Sequence, residues 1–101
     1  MMLLAAYVKE FVAICDYLAG NEVKQVKGYF IAERARIEAM LDRNKYDTCQ
    51  GKLKVWKQLN WIDAEENRYT KRVYDMETKK YIRRMKLSVE VYKTLKELNE
   101  K

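Results

Sequence analysis

Residues 53–62 read LKVWKQLNWI. Leu53, Val55, Trp56 and Leu59 recur at helical spacing, and Trp61-Ile62 then follow as an adjacent apolar pair. Between the two patterns stands Asn60, one of the few non-glycine residues that tolerate a left-handed helix end. The stretch predicts a helix that stops abruptly and hands the chain to an extended segment. Working backward, Thr48 is a natural N-cap, so the helix occupies 48–60 with its first turn at Cys49. The short break KYD precedes it. Before that, AERARIEAMLDRN predicts a helix over 32–44 with Ala35, Ile37, Met40 and Leu41 facing inward. Two helices around a tight turn therefore form the centre of the chain.

Outward from that centre, residues 3–19 predict a long helix, with Leu4, Tyr7, Val8, Phe11, Ile14, Cys15 and Leu18 at three- and four-residue steps. Gly20 offers the left-handed position that ends it. Leu3, Val12 and Ala13 widen its apolar stripe and leave Lys9, Glu10 and Asp16 as the polar side. So wide a stripe has two readings: a dimer interface through Leu4, Tyr7, Val8, Phe11 and Val12, or a central core helix. Residues 22–31 (EVKQVKGYFI) predict a short strand. Runs 67–75 and 80–87 predict a hairpin about the turn MET, over 67–87 as a whole. Ser88 caps a last helix, 89–99, with Val91, Tyr92, Leu95 and Leu98 on one face. At 101 residues, 1–101 is expected to form a single α+β domain.

The order helix, strand, helix, tight turn, helix, hairpin, helix resembles the winged helix-turn-helix family with added terminal helices. The resemblance covers about 22–87 and is carried most specifically by 53–62, where leucines, a helix stop and two apolar residues lead into the wing. Asn60 stands where that family usually has glycine. The resemblance implies that 48–60 is the recognition helix entering the major groove of DNA, and that 67–87 is the wing. Some members of the family bind protein or RNA instead, so fold alone does not fix function.

The charge points to the wing. Residues 68–86 hold eight cations and two acids, Asp75 and Glu77, for a balance of +6, which equals the formal charge of the whole chain. Arg68, Lys71, Arg72, Lys79, Lys80, Arg83, Arg84 and Lys86 supply it, and phosphate is the commonest partner for such a field. With Asp75 paired to Lys79, one face of the ribbon carries Arg68, Thr70, Arg72 and Tyr74 opposite Lys80, Ile82, Arg84 and Lys86. Val73, Tyr81, Tyr69 and Met85 then turn to the core. A one-residue slip would redistribute both faces. The plain alternative is a charged edge that discourages strand pairing, although one or two lysines would do that. Helix 48–60 adds Gln50, Lys52, Lys54 and Lys57 as weaker candidates. Lysines at those steps do not share one face, and a solvated surface explains them equally well. Gln50, Gln58 and Asn60 alone could read adenine edges. The helix is therefore poor as a base reader, and recognition is expected to centre on the wing.

Chemistry other than binding has little to stand on. The chain has no histidine, which removes serine–histidine and cysteine–histidine schemes. Its two cysteines, Cys15 and Cys49, have no Cys-x-x-Cys spacing, so they are expected as reduced thiols, with no metal and no cofactor. The apolar start MMLLAAYV has no preceding basic residue and is broken by Lys9-Glu10, so neither a secretion signal nor a membrane span is expected, and a cytoplasmic protein is.

Length, element order, 53–62 and the basic wing also resemble the small relaxosome accessory proteins of clostridial conjugative plasmids. That resemblance implies a homodimer that binds repeated sites at a plasmid origin of transfer (oriT) and assists the relaxase in conjugation. A winged-helix transcriptional repressor, or a module whose wing binds RNA or an acidic protein, are the competing readings.

Overall fold

A computed structural model describes residues 2–99, with side chains from Leu4 onward. The chain forms α1 (Met2–Gly20), β1 (Gln25–Val26), β2 (Tyr29–Ala32), α2 (Arg34–Leu41), α3 (Cys49–Gln58), β3 (Lys71–Asp75), β4 (Lys80–Ser88) and α4 (Val89–Asn99). Four helices and a four-stranded antiparallel sheet of order β1-β2-β4-β3 make the α+β architecture. No helix among the described residues is long and apolar enough to cross a membrane.

One face of the sheet carries the core. Phe30 and Ala32 on β2, and Met85 and Leu87 on β4, alternate inward and are buried. They meet Phe11, Cys15 and Leu18 of α1, Ile37 and Leu41 of α2, and Leu53 and Trp56 of α3. Phe11 is the hub: its ring stands edge-on to Trp56 at 4.9 Å and tilted to Trp61 at 5.1 Å. Trp61 and Ile62 are buried, and Ile62 bridges Leu87. The extended segment expected after Asn60 is therefore a single bridge rather than a strand.

Local signals placed the helix ends. The Gly51 N–H donates to Thr48 Oγ1 at 2.9 Å, which caps α3. Asn60 has φ +60°. The Trp61 N–H bonds Trp56 O and the Asn60 N–H bonds Lys57 O, closing α3 in a Schellman arrangement. The Val91 N–H donates to Ser88 Oγ at 3.1 Å at the start of α4.

Several boundaries and faces differ from expectation. The single strand 22–31 is a hairpin, β1–β2, because Lys27 (φ +51°) and Gly28 (φ +86°) form a two-residue turn with both residues left-handed. α1 runs through Gly20, and the left-handed residue beyond it is Glu22 (φ +55°). α2 is shorter than 32–44, since β2 claims Ala32 and Glu33 is its N-cap. Ala35 and Leu98 face solvent rather than the core. Glu10, assigned to the polar side of α1, is buried.

Candidate nucleic-acid interface

α3 presents one exposed stripe. Gln50, Lys54 and Gln58 are exposed and lie at i, i+4 and i+8, so they share a face. Gly51 sits beside this stripe because a Cβ there would come within 2.5 Å of Asp47 Oδ1. Asp47 in turn accepts the Thr48 N–H at 2.7 Å and the Tyr7 hydroxyl at 2.6 Å, tying the start of α3 to α1. That hydrogen bond to the carboxylate, with burial and its negative charge, pushes the Tyr7 hydroxyl up to about 12.

Two of the helix lysines are not at the surface stripe. Lys52 is fully buried. Its Nζ lies 3.1 Å from Glu10 Oε1, donates to Leu41 O at 2.6 Å and Asn44 O, and sits over the Tyr46 ring. Lys52 therefore closes the carbonyl end of α2 and holds the α2–α3 turn against α1, which corrects its assignment as a DNA contact. Lys57 reaches Glu65 O at 2.9 Å and Arg68 O at 2.8 Å. It props the loop between α3 and β3 and is also withdrawn from the binding set. Lys54 is the helix lysine with no hydrogen-bond or ion-pair partner among the described residues.

That loop, 63–70, rewrites the charge map. Asp63 Oδ2 binds Lys71 Nζ at 3.0 Å and Lys86 Nζ at 3.1 Å. Glu65 Oε1 binds Arg83 Nη1 at 2.9 Å, and its other oxygen accepts the Arg72 N–H at 3.2 Å. Partial burial raises the Asp63 carboxyl, but hydrogen bonds from Lys71 and Lys86 outweigh it and hold the group below its ordinary value. Glu65 is lowered chiefly by Arg83. Counting 63–86 adds Asp63, Glu65 and Glu66 to the acids, so the balance falls from +6 to +3 (eight cations less five acids). The acidic run DAEEN just before the hairpin was the signal for this.

The hairpin is real, but its register is one residue from expectation. Asp75 pairs with Lys80, Tyr74 with Tyr81, Val73 with Ile82, Arg72 with Arg83 and Lys71 with Arg84. The cause is the turn. Asp75 accepts the Thr78 hydroxyl at 2.7 Å and the Glu77 N–H at 3.3 Å, while Lys79 takes φ +58°. A four-residue loop, 76–79, replaces the three-residue MET turn. The five-cation face dissolves as a result. Arg72, Tyr74, Tyr81 and Arg83 share one side, with the tyrosine rings edge-on at 5.3 Å and Arg72 over Tyr81. Lys71, Lys80, Arg84 and Lys86 share the other with Val73 and Ile82.

The first predicted strand also begins later, at Lys71 rather than 67, because Asn67 is left-handed (φ +66°) and the Arg68 N–H closes a turn on Glu65 O. Thr70 lies in this loop, buried, with its carbonyl on the Glu65 N–H, so its hydroxyl does not face a ligand. The free cations are Arg68, Arg72, Lys79, Lys80 and Arg84, none of which has a carboxylate within ion-pair distance among the described residues. Loop residues Glu66, Asn67 and Tyr69 form one wall of a groove whose other wall is the Gln50–Lys54–Gln58 stripe. Gln58 joins the stripe through the side of α3 that the core takes, which spacing alone does not fix.

Of the α1 residues expected at a dimer interface, Tyr7, Phe11 and Val12 are buried in the chain's own core and Val8 packs against it. Leu4 is 53% exposed. No family model matches the chain, and no curated protein matches it.

Proposed function

We propose that this chain is a sequence-selective double-stranded DNA-binding protein of the winged helix-turn-helix type. The observation that carries the reading is the group of five unpaired cations, Arg68, Arg72, Lys79, Lys80 and Arg84, on one hairpin and its adjoining loop. Arg72 lies on one side of the ribbon and Lys80 and Arg84 on the other, and unpaired like charges on one short ribbon are favourable when a polyanion neutralises them and releases counterions. The topology supports the family: α2 and α3 are consecutive helices joined by the seven-residue segment 42–48, and β4 returns from the hairpin to lie beside β2. Gln50 and Gln58 flank Lys54 on the same side as the loop that carries Arg68, and glutamine pairs with adenine edges in the major groove.

The role is read as that of a cytoplasmic accessory factor in conjugation, resembling TcpK, which binds repeats at a plasmid origin of transfer and assists the relaxase. The homodimer of that reading enters through Leu4, since the rest of the expected α1 face lies in the core. Fluorescence anisotropy with duplex DNA, single-stranded DNA and RNA tests the substrate class, and duplex preference is the expected result. Selection from a random duplex library and mapping of the bound sites on the native replicon test the role. Sites at promoters would replace it with that of a repressor.

A further inference from the structure

The sheet has a second face, turned away from the core, with a different chemistry from the hairpin's tyrosine side. Side chains alternate along β4, so Ile82, Arg84 and Lys86 point opposite to Met85 and Leu87. Val73 pairs with Ile82 and Ile31 pairs with Lys86, which places both aliphatic partners on this same outer face. Ile31, Val73 and Ile82 are half-buried and line one concavity, which the β1–β2 hairpin rims with Lys24 and Lys27 and β4 rims with Arg84. Asp75 and Glu77 close one end.

We infer that this outer face docks an extended, acidic and apolar segment of a partner protein. Charge complementarity selects the sign of the ligand. Lys24 and Lys27 are exposed and have no ion-pair partner among the described residues. The floor selects the class. Protein–DNA interfaces are predominantly polar, and a phosphodiester strand gains nothing from Ile31, Val73 and Ile82. A nucleic acid also carries a charge at every step, and Asp75 and Glu77 repel it at the closed end. A peptide can place apolar side chains on the floor and acids over Lys24, Lys27 and Arg84, leaving the acidic end uncharged. A second copy of this chain would set its own rim of cations against this one. This inference rests on Lys24, Lys27 and Ile31, which lie outside the set of residues proposed to hold DNA, while Arg72 and Arg84 line the concavity and belong to both sets.

The test is a fluorescein-labelled dodecapeptide of alternating glutamate and valine, titrated by anisotropy against the full chain, with its lysine–valine counterpart and a dodecathymidine strand beside it. Binding of the glutamate peptide on the order of tens of micromolar is expected, with none by the lysine peptide. Lys24→Ala combined with Lys27→Ala is expected to weaken it about tenfold while weakening duplex DNA binding by a smaller factor. Amide shifts in the unmodified protein should centre on Ile31, Val73 and Ile82. Absence of glutamate-peptide binding, shifts centred on α3, or displacement of the peptide by dodecathymidine each overturn the inference. Equal loss of peptide and DNA binding in the doubly substituted chain would also overturn it.

Discussion

Lys52 Nζ lies 3.1 Å from Glu10 Oε1, and both side chains are buried. The residues are 42 positions apart in the chain, and their contact joins α1 to α3. Tyr46 and Asn44 donate to the same carboxylate, so the pair is fully hydrogen-bonded. Removing one partner strands a buried charge and costs about 3–5 kcal/mol. Lys52→Met and Glu10→Leu are each expected to lower stability by that amount in urea unfolding. The double substitution is expected to recover most of the loss. The salt dependence of DNA binding should not change in folded Lys52→Met; a shallower slope would return Lys52 to the binding set.

On the proposed DNA reading, the five free cations should make affinity steeply dependent on salt. Neutralising roughly five phosphates predicts a slope of log affinity against log salt near −4 to −5. Arg72→Ala or Arg84→Ala should weaken duplex binding more than Lys54→Ala. A reversed order in anisotropy would move the centre of recognition to α3.

Glu65 occupies the Arg83 guanidinium at 2.9 Å. Glu65→Gln removes the competing charge while keeping a hydrogen-bonding side chain. Duplex affinity should rise several-fold and the salt slope steepen by about 0.9 if the released guanidinium takes a phosphate. Unchanged affinity and slope would mean that Arg83 stays off the DNA.

Asp63 carries a pH dependence. Its folded carboxyl is held below the ordinary value by Lys71 and Lys86, against the upward push of burial. A lowered folded value stabilises the protein above the unfolded value, about 3.9, and that contribution is lost as pH falls through the folded one. Asp63→Asn should therefore flatten the fall of melting temperature below roughly pH 4, with little effect on its shape near neutrality. An identical acid limb in both proteins would contradict the assignment.

What could be read from the chain was what depends on neighbours in sequence. Thr48, Asn60 and Ser88 act through bonds to residues within four positions, and each stands at the helix end its chemistry favours. The core stripe of α1 was equally plain, although whether it served a core or a dimer was not. Features set by distant partners were hidden. Nothing near Lys52 marks it as buried, because Glu10 supplies its charge partner from another helix. The Lys27-Gly28 turn lacks the asparagine or aspartate that usually leads a two-residue hairpin. The hairpin register turned on one carboxylate: Asp75 folds the loop by accepting Thr78 and Glu77, and the five-cation face depended on that single residue's place in the ladder.

β4 changes partners midway. Lys80–Arg84 pair with β3, and Met85–Ser88 pair with β2. The two neighbours do not overlap along it, so beyond Met85 the hairpin is a two-stranded ribbon paired to no third strand among the described residues, although it shares the outer concavity with the β1–β2 hairpin. Five residues of strand give it an overhang of about 17 Å, comparable with the width of a DNA groove. A lone two-stranded ribbon is marginal, and this one is moored at its root by Asp63 and Glu65. Its compliance is therefore set at the root rather than along the span. A load applied at the tip by a bound duplex would be felt first at the Arg84–Met85 junction, where the basic hairpin and the outer groove share a single strand.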